Sequence, residues 1–245
     1  MDYKFAFRTD IGKRPRNEDS LYVPEEGARP LFIIADGIGG HKAGAVASKL
    51  AVRSVAEYVE QSTQSDLRAT VQVASAYANS LVYAEGQSNK EYSDMGTTLA
   101  FALLATKSFI VANIGDSRIY HFDGISLTQI TKDHSFAAEL LEAGEITEEE
   151  AKRHPRRNVI TRALGTEPTE HPDIFEAEWG TGDLLMLCTD GIFGGVSDCD
   201  IKQVLKNATD LGLACDNLIE LCREGGATDN ATVVLVQNMG VSGDA

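Results

Sequence analysis

The chain has 245 residues, 43% of them hydrophobic, which is enough to bury a sizeable core near the upper end of single-domain sizes. Its 22 basic residues against 37 acidic ones leave a net charge of −15. That balance excludes non-specific nucleic-acid binding, because neutralising phosphates needs a basic footprint. Residues 1–8 lack a signal-peptide core and no apolar run is long enough to cross a bilayer, so a cytoplasmic chain without membrane contact is expected. Cys188, Cys199, Cys215 and Cys222 show no CxxC or zinc-finger spacing, which predicts reduced thiols rather than bridges. None is followed six residues later by Arg, so no thiol nucleophile is indicated.

In chain order, an apolar strand-like run at 31–35 ends on Asp36-Gly37. A helix is predicted over 43–61, from apolar positions at helical spacing, and a second over 66–87, with Asp66 as its N-cap. The run 109–114 leads to Gly115-Asp116. Between 133 and 165 the periodicity weakens into two short helical pieces, one ending at Gly144 and one capped by Thr147 with Glu150 three residues on. This segment also carries Arg153, His154, Arg156, Arg157 and Arg162. It reads either as a mobile flap bordering an anionic substrate or as an irregular surface stretch whose arginines are solvated or paired with its own glutamates. The run 184–188 precedes Asp190-Gly191, helices follow over 197–207 and 211–224, and Asp229-Asn230 opens a last strand at 231–236. No linker or repeat divides the chain, which predicts one domain over 1–238 and a short flexible tail over 239–245.

Three of the four aspartates close a strand and the fourth opens one, so an antiparallel final strand would bring all four carboxylates to one sheet edge. Any one Asp beside Gly or Asn is ordinary turn chemistry. Four at strand ends suggest a shared cation site instead. An all-oxygen donor set suits Mg²⁺ or Mn²⁺, whereas Zn²⁺ would call for His and Cys.

The motifs Arg14-Pro15-Arg16-Asn17-Glu18-Asp19, Asp36-Gly37-Ile38-Gly39-Gly40-His41, Gly96-Thr97-Thr98, Asn113-Ile114-Gly115-Asp116-Ser117-Arg118, Asp133-His134, Thr189-Asp190-Gly191 and Asp229-Asn230-Ala231-Thr232 follow one another along nearly the whole chain. Each is weak alone, but in this order they resemble the metal-dependent PP2C-type (PPM) serine/threonine protein phosphatases in their short bacterial form. The resemblance implies an α+β fold, a four-layer αββα sandwich of two antiparallel sheets flanked by helix pairs, with a flap near the active site. It implies that Asp36 bridges two Mn²⁺ or Mg²⁺ ions, that the Gly37 carbonyl completes part of one shell, and that Asp190 and Asp229 hold the second ion. Glu18 and Asp19 would act through water, and Asp116 with Asp190 would form a third-metal site. A water shared by two cations loses a proton near neutral pH and can attack phosphorus in line, with no covalent phosphoenzyme. Arg14 would bind the phosphate oxygens through its planar fork.

A leaving serine or threonine oxygen needs a proton, and a histidine near pKa 6.5 can supply it. His41 is the best-placed candidate, as that acid or as a hydrogen-bonding neighbour of the site; His134, His154 and His171 read as structural or surface residues. Two residues depart from the bacterial pattern, Ile38 where Met is usual and Thr189 where Ser is commoner. Phosphorylated proteins are the expected substrates, with a serine/threonine kinase as antagonist, for a monomeric enzyme. The rivals are a metal phosphoesterase for small esters and a metal-binding pseudophosphatase; the retention of Asp36, Asp190 and Asp229 speaks against the second.

Overall fold

The computed structural model describes residues 2–39 and 43–240. His41 therefore lies outside the described residues, as do Gly40, Lys42 and 241–245. The elements in chain order are β1 (Asp2–Asp10), β2 (Asp19–Tyr22), β3 (Leu31–Ile38), α1 (Ala43–Gln61), α2 (Leu67–Ser88), β4 (Gly96–Thr97), β5 (Leu99–Leu104), β6 (Ser108–Ile114), β7 (Arg118–Phe122), β8 (Leu127–Gln129), α3 (Phe136–Glu142), α4 (Glu148–Arg153), β9 (Asp173–Glu178), β10 (Leu184–Cys188), α5 (Asp190–Phe193), α6 (Asp198–Lys206), α7 (Leu211–Glu224) and β11 (Ala231–Gly240). One sheet has the order β1-β11-β10-β7-β8 and the other β2-β3-β5-β6-β9, with β4 paired to β3. Every pairing is antiparallel.

Three apolar layers hold the sandwich together. Phe32, Ile34, Phe109 and Val111 of one sheet meet Ile119, Leu185, Leu187, Val234 and Val236 of the other in the middle layer. Leu31, Ile33, Phe101 and Ile110, on the opposite face, pack against Ala47, Ala51, Val55 and Val59 of α1 and Val71, Ala74, Ala78 and Val82 of α2. Met186, Val233 and Leu235 do the same against Ile201 and Leu205 of α6 and Leu218 and Cys222 of α7. Because the central strands are buried on both faces, they read as unbroken apolar runs such as β5 and β10 rather than as alternating ones. Truncating a fully buried side chain such as Phe101 should cost about 3–5 kcal/mol.

The helix predictions hold closely. Asp66 accepts from the backbone N–H groups of Arg68 and Ala69, and Thr147 and Glu150 form the predicted capping box. All four cysteines are free thiols. Two boundaries shift. The strand predicted at 31–35, β3, does not stop before Asp36, because Gly37 and Ile38 pair with Thr97 and Gly96 of β4. The last strand runs to Gly240, so Met239 and Gly240 belong to the sheet rather than to the predicted tail. Among the described residues no helix is long and apolar enough to cross a membrane.

Candidate active site

The acids gather at the open end between the two sheets, not at the edge of one as the sequence pattern suggested. Asp19 and Asp36 are direct partners across the β2–β3 ladder. Asp190 and Asp229 lie in the other sheet, just beyond the end of β10 and just before the start of β11, whose antiparallel pairing places Cys188 opposite Val233. Asp116 sits on the connection from β6 to β7, where the chain crosses from one sheet to the other.

The backbone around each acid is tightly bonded. Asp36 N–H donates to Thr98 Oγ1 (2.8 Å), while its carbonyl accepts from Thr98 N–H (2.8 Å) and Thr97 Oγ1 (2.8 Å). Gly37 must lack a side chain because a Cβ there would lie 2.2 Å from the Gly44 carbonyl oxygen of α1. Gly115 has φ +101°, a left-handed conformation open to glycine, and a Cβ would lie 2.7 Å from Thr98 Cγ2. Its N–H donates to His134 Nδ1 (3.0 Å) and its carbonyl accepts from His134 N–H (3.0 Å). Its Nε2 lies 2.8 Å from Arg162 Nη1 and 3.2 Å from Asp173 Oδ2, so the ring also sits against that ion pair. The structural role expected for His134 thus takes a definite form: it ties the Asp116 loop to the first residues of the flap segment.

Asp19 is 9% exposed, and its Oδ2 accepts from Thr232 Oγ1 (2.6 Å) and Thr189 Oγ1 (2.9 Å). Thr189 Oγ1 also accepts from Thr232 N–H (3.0 Å), so this hydroxyl both donates and accepts. Nothing in the structure explains Ile38. Asn230 binds the 11–18 segment at three points: its Nδ2 donates to the carbonyls of Ile11 (2.9 Å) and Arg16 (2.9 Å), and its Oδ1 accepts from Glu18 N–H (2.8 Å). The Glu18 carbonyl in turn accepts from Gly37 N–H (3.2 Å) and Ser48 Oγ (2.6 Å).

Burial and mutual repulsion raise the acids together. Burial pushes Asp19 up to about 7, against the pull of its threonine hydrogen bonds and with help from Asp190 and Asp229. Burial, then Asp190 and Asp133, raise Asp116, 5% exposed, to about 8. Asp190 rises to about 6 through burial and then Asp229. Asp36 is held well above the usual carboxylate range by burial, then by Asp19, Asp190 and Asp116. The Asp36 and Asp190 carboxyls lie close enough for the charge on Asp190 to raise Asp36. Arg14 is half exposed at the mouth of this cluster and donates from Nη2 to Asp229 Oδ2 at 2.6 Å.

This donor set fits a hard divalent cation. It is built of carboxylates with a nearby glycine carbonyl, and Asp19 Oδ1 and Asp190 Oδ1 are buried without a hydrogen-bond partner among the described residues. Such orphaned buried oxygens are costly unless something positive sits against them. Among the described residues no three Asp, Glu, His or Cys side chains already stand as a finished coordination shell. Asp229 is engaged by Arg14, so a cation would draw it away from that contact.

One element of the site had only a weak sequence signal. Arg118 donates from Nε and Nη2 to Asp133 (2.7 Å to Oδ2) and from Nη1 to Tyr120 Oη (2.9 Å), and stacks 3.7 Å above the Phe193 ring of α5. It therefore links β7, the start of the flap segment and the helix that opens on Asp190. The sequence placed Arg118 and Asp133 in motifs but did not pair them, because fifteen residues of sequence separate them.

The protein phosphatase 2C family matches residues 9–224. The chain belongs to the protein phosphatase 2C family. It is 39% identical over 241 residues to the serine/threonine phosphatase stp of Listeria monocytogenes, covering 94% of each protein. It is 40% identical over 233 residues to the serine/threonine protein phosphatase PstP of Mycobacterium tuberculosis, covering 95% of this chain and 44% of that protein. Among solved structures, Stp1 from Staphylococcus aureus superposes with a TM-score of 0.92 at 35% identity, over 97% of this chain and 95% of that one. The catalytic domain of PstP in complex with two manganese ions superposes with a TM-score of 0.86 at 38% identity, over 96% and 97%. The family and the α+β sandwich implied by the motifs are thereby established: this protein phosphatase shares its architecture with metal-dependent relatives.

Proposed function

We propose that the chain, as one catalytic domain whose last strand runs to Gly240, hydrolyses phosphoserine and phosphothreonine in proteins by direct attack of water on phosphorus, opposing a serine/threonine kinase. The observation that carries this reading is the cluster of Asp19, Asp36, Asp116, Asp190 and Asp229, with two buried carboxylate oxygens left without hydrogen-bond partners among the described residues. Asp36 would bridge two Mn²⁺ or Mg²⁺ ions with the Gly37 carbonyl beside it, Asp190 and Asp229 would hold the second ion, Glu18 and Asp19 would act through water, and Asp116 with Asp190 would hold a third. Such ions, when bound, lower the pKa of water towards neutrality and offset the charge on phosphate oxygens.

The chain's own residues do the rest. The threonine hydroxyls on Asp19 Oδ2 leave Oδ1 as its free acceptor, so one orientation of that carboxylate is held. Arg14 stands where it can exchange Asp229 for a phosphate oxygen, and its fork then steadies the charge of the transferring group. His41, as proton donor to the leaving oxygen, lies outside the described residues. The enzyme would act as a monomer, and four free thiols support a reducing compartment such as the cytoplasm.

The test is hydrolysis of a phosphothreonine peptide with Mn²⁺, with Mn²⁺ plus chelator, and with Asp36→Asn. Turnover should be confined to the first arm; equal rates in all three would sink the proposal.

A further inference from the structure

Residues 151–165 carry Lys152, Arg153, Arg156, Arg157 and Arg162 without a single acid, in a chain of net charge −15. Two of these cations are accounted for. Arg162 turns inward to Glu170 (2.9 Å) and Asp173 (2.8 Å), and Arg153 pairs with Glu149 at 3.5 Å on α4. Arg156 and Arg157 are exposed, and among the described residues neither has an ion-pair partner.

Arg156 is not simply solvated. Its guanidinium carbon lies 3.8 Å above the ring of Phe136, whose other neighbour is the His154 ring at 5.5 Å. Arg156 N–H also donates to His154 Nδ1 (3.1 Å), and Phe136 N–H donates to the Val159 carbonyl (2.8 Å). A guanidinium resting on an aromatic face keeps its planar edge of N–H donors available while losing little further entropy when it binds. The stack is anchored close to the acid cluster. The bridge between Ser135 and Ile160, and Thr161 N–H on the His134 carbonyl (2.9 Å), join both arms of the segment to His134, which clamps Gly115 beside Asp116.

On a strongly acidic protein, a preorganised and unpaired cationic spot is where additional negative charge on a partner is admitted. We propose that Arg156 and Arg157 form a docking surface for phosphoprotein segments carrying carboxylate side chains beside the residue being dephosphorylated. This rests on the phosphatase reading above and narrows its substrate class.

The experiment compares two phosphothreonine peptides that differ only in glutamates or glutamines flanking the phosphoresidue, with p-nitrophenyl phosphate as a substrate too small to reach the flap. For the unaltered chain with Mn²⁺, kcat/KM should favour the acidic peptide by about three- to tenfold, the range expected for two exposed charge contacts. The preference should shrink as ionic strength rises. Arg156→Gln combined with Arg157→Gln should abolish it while leaving p-nitrophenyl phosphate turnover unchanged, and Arg156→Lys should restore part of it. Peptide binding by fluorescence anisotropy under chelation gives the same comparison without turnover. Absence of preference in the unaltered chain, by rate and by anisotropy, or its survival in the double variant, overturns the docking surface. Loss of all turnover with a preserved difference in anisotropy would instead overturn the phosphatase reading and leave the docking surface standing.

Discussion

Removing divalent cations should make the protein less stable as pH rises from 5 to 8, the reverse of ordinary acid denaturation. The sign follows from the raised acids. Asp19 titrates at about 7 and Asp116 at about 8 in the folded chain, against about 3.9 in an unfolded one. Near pH 6 the folded state therefore holds protons that the unfolded state has released, so stability is full below the unfolded pKa and is lost as pH climbs through the folded values. Each retained proton costs about 1.4 kcal/mol of stability per pH unit. Asp19 and Asp116 together make this on the order of 4–5 kcal/mol between pH 5 and 7. For a chain of this size that corresponds to a fall in Tm on the order of 10 °C. Thermal unfolding in chelator at pH 5, 6, 7 and 8 measures it. Mn²⁺ should remove or invert the slope, because a cation binds the ionised carboxylates of the folded state. Asp116→Asn should flatten the slope in chelator. A metal-free Tm independent of pH, or an Asp116→Asn slope equal to that of the unaltered chain, would refute the reasoning.

Two further outcomes are expected. Arg14→Ala should lower kcat/KM on phosphopeptides by about 10- to 100-fold, the loss of one or two charge-assisted hydrogen bonds, while Mn²⁺ affinity is kept or rises because Asp229 loses its competing cation; a loss of metal binding by calorimetry would assign Arg14 a structural role. Thr189→Val should destabilise the protein by about 1–3 kcal/mol in denaturant titration, by leaving a buried carboxylate oxygen short of a donor, and Thr189→Ser should recover most of it; a neutral valine variant would show that the Asp19 contact carries little.

The helices were legible because their signals are local. Asp66, Thr147 with Glu150, and the closing Gly225 satisfy or terminate backbone groups within a few residues of themselves. The central strands were legible as unbroken apolar runs because they are buried on both faces. The end of β3 escaped the sequence because Gly37 and Ile38 are held by β4, a two-residue partner some sixty positions away that has no pattern of its own. The contacts of Thr189 with Asp19, Asn230 with the 11–18 loop, and Arg118 with Asp133 escaped for the same reason. Each joins segments brought together by folding, and sequence spacing carries no information about them.

The sequence by itself determined the family, the kinds of element and the identity of the acids, since these rest on ordered motifs, periodicity and the preference of hard cations for oxygen. Only the tertiary structure decided that the acids come from both sheets and meet at the open end of the sandwich. It also decided that Asp19 faces Asp36 across a ladder, that Arg14 already rests on Asp229, and that Arg156 lies on Phe136 without an acidic partner among the described residues. The reason is physical: burial and proximity set the charge state and partner of each side chain, and both are properties of how layers pack rather than of any stretch of chain.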